Sequence, residues 1–304
     1  MDLVPDPSTR RGELGPLLPQ LGGGPYNTAV AAGRLGVPVA FLSRVSQDAF
    51  GDALLERLRE AGVDLGFVQR GPEPTALAVV TLAADGSARY TFHVQGTADR
   101  LVADPGALPD EVTTLSVGTL GLVLEPGASV YEAMLRRESA RGKLIVVDPN
   151  IRTGLIADPA AYRTRFISWL PHITLLKVSV EDARWLAALP EDGDVVAAVR
   201  DWLRAGVAAV VLTQGGDGLA LFTGSGVELE VPAVRTTVVD TIGAGDTVHA
   251  ALLAWLHGRG VTSAGQVRKL AAEEWTEALG FAARAAAITV SRVGAEPPFA
   301  AELA

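Results

Sequence analysis

Short apolar runs, many of them rich in β-branched residues, alternate along most of this chain with longer helix-like segments. Such runs are typical of buried parallel strands, and they lie at Val37–Leu42, Thr114–Val117, Leu144–Val147, Ile173–Lys177 and Ala208–Leu212. The segments between them predict helices at Asn27–Leu35, Gly51–Ala61, Ser129–Arg141, Val180–Leu189, Asp194–Ala205, Thr247–Leu256 and Ala271–Ala287. This alternation predicts an α/β fold whose central, mostly parallel sheet carries helices on both faces.

Two segments depart from the alternation. Thr75–Thr81 and Ala88–Val94 flank the turn signal Ala83-Ala-Asp-Gly86, which predicts an antiparallel hairpin apart from the main sheet. We expect the Pro- and Gly-rich residues 2–21 to join it, giving a single domain over residues 1–304 with a small β lid formed from about 2–21 and 73–98. Such an element is suited to cover a substrate cleft or to pair with a second copy through its open edges. The alternative is a hairpin without a role.

Composition narrows the range of functions. The 304 residues are 48% hydrophobic and carry a formal net charge of −9, which disfavours nucleic acid and acidic membrane surfaces as partners. The chain has no Cys, so disulfides, thiolate zinc sites and a cysteine nucleophile are excluded. The N-terminal residues lack the pattern of a signal peptide, and no apolar run approaches the roughly 18 residues that span a bilayer. We therefore expect a cytoplasmic protein.

The segment Asp240-Thr-Ile-Gly-Ala-Gly-Asp246 runs into an Ala- and Leu-rich stretch that favours helix. A glycine turn at a helix start aims unpaired backbone N–H groups at one point, where the helix dipole adds positive charge. That arrangement suits a phosphate, and Asp246 at the same point is suited to take a proton from an attacking hydroxyl. The segment therefore predicts two parts of a phosphoryl-transfer site. The alternative is a capping Asp after a common turn.

A second glycine turn, Gly22-Gly-Gly-Pro-Tyr-Asn27, also enters a predicted helix. Its glycines let a ligand approach the backbone closely, and Asn27 offers the donor and acceptor that suit a sugar hydroxyl. The alternative is a loop with a capping Asn. The Gly-x4-Gly-Lys-Ser/Thr and Gly-x-Gly-x-x-Gly patterns are both absent, and the four His residues show no paired metal-ligand spacing.

Gly22–Asp64 resembles the first signature of the ribokinase-like sugar kinases, also called the phosphofructokinase-B family. The likeness lies in the Gly-Gly turn, Asn27, Arg34-Leu-Gly-Val37, Gly51-Asp52 and Ala61-Gly-Val-Asp64. Asp240–Ala250 resembles the second signature, Asp-Thr-x-Gly-Ala-Gly-Asp, and the order and spacing of both fit the family. Among members, bacterial fructokinases are most similar, through Thr91-Phe-His93, Gly96–Arg100, Leu122–Pro126, Asp148-Pro-Asn-Ile-Arg152 and Lys177-Val-Ser179. The resemblance covers essentially the whole chain.

The resemblance implies a ribokinase-like three-layer fold and ATP-dependent phosphorylation of a sugar hydroxyl, with fructose giving fructose 6-phosphate. Asp246 matches the family's catalytic base, and Gly243, Ala244 and Gly245 match its anion hole. The implied sugar contacts are Asp2, Gly23, Gly24, Asn27, Phe92, Arg152 and Asp246. The implied nucleotide contacts are Lys177, Ser179, Thr213, Gly215, Gly218 and Gly245.

The family also implies metal ions and a partner copy. Mg²⁺ comes with ATP and is held largely by phosphates and water, with Asp182 or Glu181 contacting it through water. Asp240 is expected beside a monovalent cation, K⁺ in many members, near the tail at Gly294-Ala295 that closes over the adenine. The implied partners are a small-molecule sugar, ATP and a second copy joined through the β lid, with no nucleic acid and no membrane.

The sequence departs from the family in four places, one of which is that the C-terminal helix Ala278–Ala287 has no Asn where many members contact adenine. The chain opens on Met1-Asp-Leu-Val4 where relatives have a fuller strand, so we expect a cost to stability and to the placement of Asp2. Ser179-Val-Glu-Asp182 stands where the family has Asn-x-x-Glu, which shortens the reach toward magnesium. His93-Val94 stands where ketodeoxygluconate kinases have a Tyr-Arg pair that meets acidic sugars, so a neutral sugar is favoured. The alternatives are a ketodeoxygluconate or nucleoside kinase of this family, or a non-catalytic sugar- or nucleotide-binding protein.

Overall fold

The computed structural model of this protein describes residues 1–6, 15–82 and 88–303. Its strands are β1 (Asp2–Pro5), β2 (Leu17–Gln20), β3 (Ser43–Ser46), β4 (Val68–Gly71), β5 (Leu77–Leu82), β6 (Ala88–His93), β7 (Thr114–Gly118), β8 (Leu144–Asp148), β9 (Leu175–Ser179), β10 (Ala209–Thr213), β11 (Leu219–Thr223) and β12 (Glu228–Val231). Its helices are α1 (Gly24–Arg34), α2 (Ala49–Glu60), α3 (Gly127–Ala140), α4 (Pro159–Trp169), α5 (Val180–Leu186), α6 (Val195–Arg204), α7 (Ala244–Gly258), α8 (Ala264–Val267) and α9 (Ala272–Val290).

The central sheet has the strand order β12-β11-β10-β9-β8-β7 within the described residues. Strands β7 to β10 are parallel, and β11 and β12 extend the sheet in antiparallel fashion. Alternate residues of β8 enter different cores: Ile145 and Val147 pack with α3 to α6, whereas Leu144 and Val146 pack with α7 and α9. This confirms the predicted α/β fold with helices on both faces of a mostly parallel sheet.

A separate small sheet has the order β2-β1-β5-β6. Strand β1 pairs antiparallel with β2 and parallel with β5, and β5 pairs antiparallel with β6. The predicted second sheet is therefore present, and residues from the N-terminal segment do join it. The predicted hairpin turn, Ala83–Gly86, lies outside the described residues.

One predicted strand of the main sheet is wrong. Val37–Leu42 forms only an isolated bridge, in which Ala40 meets Asp64. Pro38 has no N–H to donate to a ladder, and Val37 and Val39 pack against the small side chains of α1 and α7. The extended segment comes slightly later, as β3, which pairs in parallel with β4 in a two-stranded sheet.

Two helices bring the glycine turns together. Ala31 and Ala32 of α1 pack on Ala250 of α7, and these small side chains let the two helices approach closely. The starts of both helices lie at the cavity described below, which is also lined by residues at the carboxyl ends of β7 and β9. In the described part of the chain, no helix combines the length and the apolar character needed to cross a bilayer.

Candidate active site

A cavity of about 1540 Å³ opens where the starts of α1 and α7 meet the main sheet and the small sheet. The predicted site residues that line it are Asp2, Gly23, Gly24, Asn27, Phe92, Arg152, Lys177, Ser179, Asp182, Thr213, Gly243, Gly245 and Asp246. Five other predicted residues, all within the described ranges, are not in its wall: Ala244, Gly215, Gly218, Glu181 and Asp240. The structure therefore gathers most of the predicted site around one space.

Asp246 lies in the first turn of α7, directly after the glycine turn. Gly243 caps this helix with a left-handed φ of 77°, a conformation that costs glycine little, and no side chain caps the helix start. Asp246 as a residue is only 8% exposed, yet it lines the cavity. Carboxylate and unpaired helix-start amides thus share one helix end, as the sequence predicts.

The start of α1 faces Asp246. Asn27 Nδ2 donates a buried hydrogen bond of 2.8 Å to Asp246 Oδ2. A β-carbon at Gly24 would lie 3.4 Å from Asp246 Oδ1 and would collide with Thr119 Oγ1. Because a side chain at this position would collide with Thr119 and reach as far as Asp246, the glycine keeps the Asp246 side of the cavity open.

Burial is the main cause that raises the pKa of Asp246 to about 6. The negative charge of Asp148 adds to the rise, whereas the Asn27 hydrogen bond and the positive charges of Lys177 and Arg152 act against it. A carboxylate with a pKa near 6 is ionised at neutral pH and more basic than an ordinary Asp, which is what a general base requires.

Lys177 and Asp148 form a buried ion pair on neighbouring strands, with 2.9 Å between Nζ and Oδ2. Burial opposes the charge on Lys177, but Asp148, Asp246 and Asp182 together raise its pKa above the ordinary value. A β-carbon at Gly245 would lie 2.8 Å from Nζ, so the ammonium lies against the glycine turn. The arrangement places a fixed positive charge beside the helix-start amides.

Ser179 and Asp182 form the start of α5. Ser179 Oγ accepts a hydrogen bond of 3.0 Å from the amide of Asp182, and Asp182 Oδ1 accepts one of 3.2 Å from the amide of Ile151. Burial, reinforced by Asp148, raises the pKa of Asp182 to about 6. Of the two residues predicted to reach a magnesium ion, Asp182 lines the cavity and Glu181 is exposed to solvent.

The small sheet and the loop after β8 form the other side of the cavity. Burial raises the pKa of Asp2, while Arg152 acts to lower it. Phe92 stacks on Tyr90 with 6.1 Å between the ring centroids, and both rings line the cavity. Val94, which is 5% exposed, also belongs to the wall. This side offers one carboxylate, one guanidinium and an aromatic and apolar surface.

The predicted nucleotide loop follows β10. Thr213 ends the strand and lines the cavity, whereas Gly215 and Gly218 lie in the turn beyond it with positive φ values of 58° and 116°. A β-carbon at Gly218 would collide with the carbonyl oxygen of Val231, so only glycine fits there. Asp240 holds its loop through both oxygens, accepting from the amide of Ile242 at 3.0 Å and that of Gly294 at 2.9 Å.

The structure adds four residues to the predicted set. Thr119, Asn150 and Tyr90 line the cavity, and Asp148 pairs with Lys177. Asn150 has a left-handed φ of 40°, and its Oδ1 accepts a hydrogen bond of 2.6 Å from Arg152. The motif Asp148-Pro-Asn-Ile-Arg152 pointed to Asp148 and Asn150, whereas nothing local distinguishes Thr119 or Tyr90.

Comparison with known proteins identifies this arrangement. Residues 19–301 match the model of the pfkB family carbohydrate kinases. A fructokinase from Rhizobium leguminosarum bv. trifolii is 39% identical over 272 residues, which cover 89% of this chain and 81% of the relative. A Klebsiella pneumoniae fructokinase is 34% identical over 265 residues, with 86% and 83% covered. The crystal structure of a Xylella fastidiosa fructokinase with bound ATP superposes with a TM-score of 0.87 at 26% identity, covering 99% of this chain and 93% of that one.

Proposed function

We propose that this chain, which belongs to the pfkB family of carbohydrate kinases, transfers the γ-phosphate of ATP to a hydroxyl of fructose and gives fructose 6-phosphate. The observation that carries the proposal is the placement of the Asp246 carboxylate and the amides of Gly243 and Gly245 at one helix start, facing one cavity. Similarity to fructokinases over most of the chain supports the choice of sugar.

In the proposed reaction, Asp246 takes the proton of the sugar's primary hydroxyl as its oxygen attacks the γ-phosphorus. The bond from that phosphorus to the bridging oxygen breaks, and ADP leaves with the electron pair. The amides at Gly243 and Gly245 and the ammonium of Lys177 stabilise the charge on the transferring group, whereas the amide of Ala244 donates to the carbonyl oxygen of Thr241. The rest of the rate enhancement comes from positioning, because Asn27 and Gly24 hold the sugar hydroxyl beside Asp246.

Magnesium would supply charge neutralisation on the ATP phosphates. Within the described residues, no group of three or more His, Asp or Glu side chains could hold a metal ion by itself, which suits an ion held mainly by phosphates and water. Asp182 fits the role of an indirect contact, because its half-buried carboxylate lies near Asp148, whose Oδ1 has no hydrogen-bond partner among the described residues. Asp240 would lie beside a potassium ion, in the loop that it ties to Gly294.

The rate should depend on pH through Asp246. The base acts only when ionised and burial raises its pKa to about 6, so kcat/KM for fructose should fall about tenfold per pH unit below that value. Because burial also raises the pKa of Asp182, to about 6, and that of Asp2, the profile should be measured again in Asp182→Asn and in Asp2→Asn. An inflection that survives in both variants belongs to Asp246, and a flat profile from about pH 7 to about pH 5 contradicts the assignment.

A panel of sugars with coupled detection of ADP tests the substrate. Val94 lines the cavity and brings no positive charge for a sugar carboxylate, so fructose should have a higher kcat/KM than 2-keto-3-deoxygluconate. Faster turnover of the acidic sugar would instead indicate a ketodeoxygluconate kinase. Sugar binding in calorimetry without any ADP release would indicate a non-catalytic binding protein.

The small sheet is proposed to act both as a lid over the sugar and as the surface that joins two copies. Its outer strand β2 exposes Leu17 and Leu18 at 42% and 40% of their surface, and β2 is an edge strand of this sheet among the residues that the structure describes. Gel filtration with light scattering should therefore give the mass of a dimer, and Leu18→Lys should shift it toward the monomer. A wild-type chain that is monomeric at assay concentration contradicts this part of the proposal.

We also propose a cytoplasmic location, because the proposed reaction uses ATP.

A further inference from the structure

The C-terminal tail at residues 294–297 packs directly on the glycine turn of α7. A β-carbon at Gly243 would lie 2.7 Å from the β-carbon of Ala295, so the two backbones are in close contact. On the other side, the amide of Gly294 donates to Asp240, which belongs to the loop that leads into the turn. The position of this tail therefore limits where the turn can lie.

Two arginines, one from α1 and one from α2, hold the tail. Arg57 of α2 donates to the carbonyl oxygen of Ala295 at 2.6 Å, and Arg34 of α1 donates to that of Pro297 at 2.9 Å. Glu296 joins both, with 2.8 Å from Oε2 to Arg34 and 2.7 Å from Oε1 to Arg57. The side chains of both arginines are 15% exposed and that of Glu296 is 40% exposed, so these charge-assisted contacts are partly screened by solvent.

We propose that Arg34, Arg57 and Glu296 are positioning residues for phosphoryl transfer. They hold Ala295 against Gly243 and so fix the turn whose amides receive the transferred phosphate. The inference rests on the proposed function. Because donors of this kind act on charge that develops in the transition state, their misplacement lowers kcat more than it weakens binding of fructose.

The test uses Glu296→Gln, which keeps the shape of the side chain and removes its charge. We expect kcat to fall about tenfold, because a change in the tail would shift the amides of the glycine turn slightly out of place. The KM for fructose should stay within about twofold of the wild-type value. Glu228→Gln is the matched control, because Glu228 forms an exposed ion pair with Arg200 on the surface between β12 and α6. This control should leave kcat and KM unchanged.

Hydrogen exchange gives a readout that does not depend on turnover. In ligand-free Glu296→Gln, the hydrogen-bonded amides of Ala244 and Thr247 should exchange faster than in wild type, and in Glu228→Gln they should not. Unchanged kcat in Glu296→Gln, or a lower kcat with unchanged exchange in this turn, overturns the inference. A wild-type chain that phosphorylates no sugar defeats the proposed function alone, since faster exchange in Glu296→Gln would still show that the tail fixes the turn.

Discussion

Replacement of Asp246 by Asn is expected to slow turnover by about 10²–10⁴-fold, the range for loss of a general base. Asn has nearly the same shape, and its amide oxygen can still accept the hydrogen bond from Asn27 that holds the side chain in place. It cannot take the proton of the sugar hydroxyl. Coupled detection of ADP measures the rate, and calorimetry should show that binding of fructose is largely kept.

The control for this substitution is Asp201→Asn. Asp201 is an exposed residue of α6 whose carboxylate pairs only with Arg204 three residues along in the described structure, so its loss should leave the rate and the folding unchanged. If Asp246→Asn turns over at close to the wild-type rate, Asp246 is not the base. If it loses activity together with its cooperative unfolding transition, the substitution has damaged the fold.

Replacement of Lys177 by Met is expected to destabilise the protein by about 3–5 kcal/mol, because it leaves the carboxylate of Asp148 buried without its partner. Asp246 and Asp182 add to the negative charge that Lys177 balances. Urea unfolding at neutral pH measures the loss. The same variant should phosphorylate fructose poorly, since the ammonium at the glycine turn is missing.

A second substitution distinguishes the contribution of the ion pair to the free energy of unfolding from the contribution of side-chain packing. Asp148→Asn removes the charge that Lys177 balances, so the double variant Lys177→Met/Asp148→Asn should be more stable than the sum of the two single losses predicts. Additive losses would mean that the two side chains do not stabilise each other. A loss below about 1 kcal/mol in Lys177→Met alone would contradict the role of a buried pair.

The helix-start residues were predictable because their chemistry is local. Gly243, Asp246 and Asn27 each lie in a short run whose glycines and following helix indicate the backbone geometry on their own. The structure brings the two runs together through the small residues of α1 and α7, and that contact is not visible in either run alone. The resemblance to the sugar kinases was what predicted that the two runs belong to one site.

The parts that sequence analysis missed depend on contacts far apart in the chain. Asp148 and Lys177 are 29 residues apart and meet because β8 and β9 are neighbours. The arginines that hold Glu296 are more than 200 residues away from it. Strand β3 was missed and Val37–Leu42 was wrongly predicted because β3 is short and polar, whereas the apolar run before it is interrupted by Pro38 and buries its valines on helices.

The boundary between β8 and β9 also separates the two substrates along the chain. Apart from Asp246, the proposed sugar contacts end at Arg152, and the proposed nucleotide contacts begin at Lys177. A genetic crossover between these two positions would exchange the N-terminal part of the enzyme, which carries most of the proposed sugar contacts. It would leave unchanged the C-terminal part, which carries the proposed nucleotide contacts. The ion pair across the two strands, the packing of α1 on α7 and the arginine contacts with Glu296 all cross this junction. Chimeras with relatives that carry the same contacts therefore offer a route to new acceptor specificity.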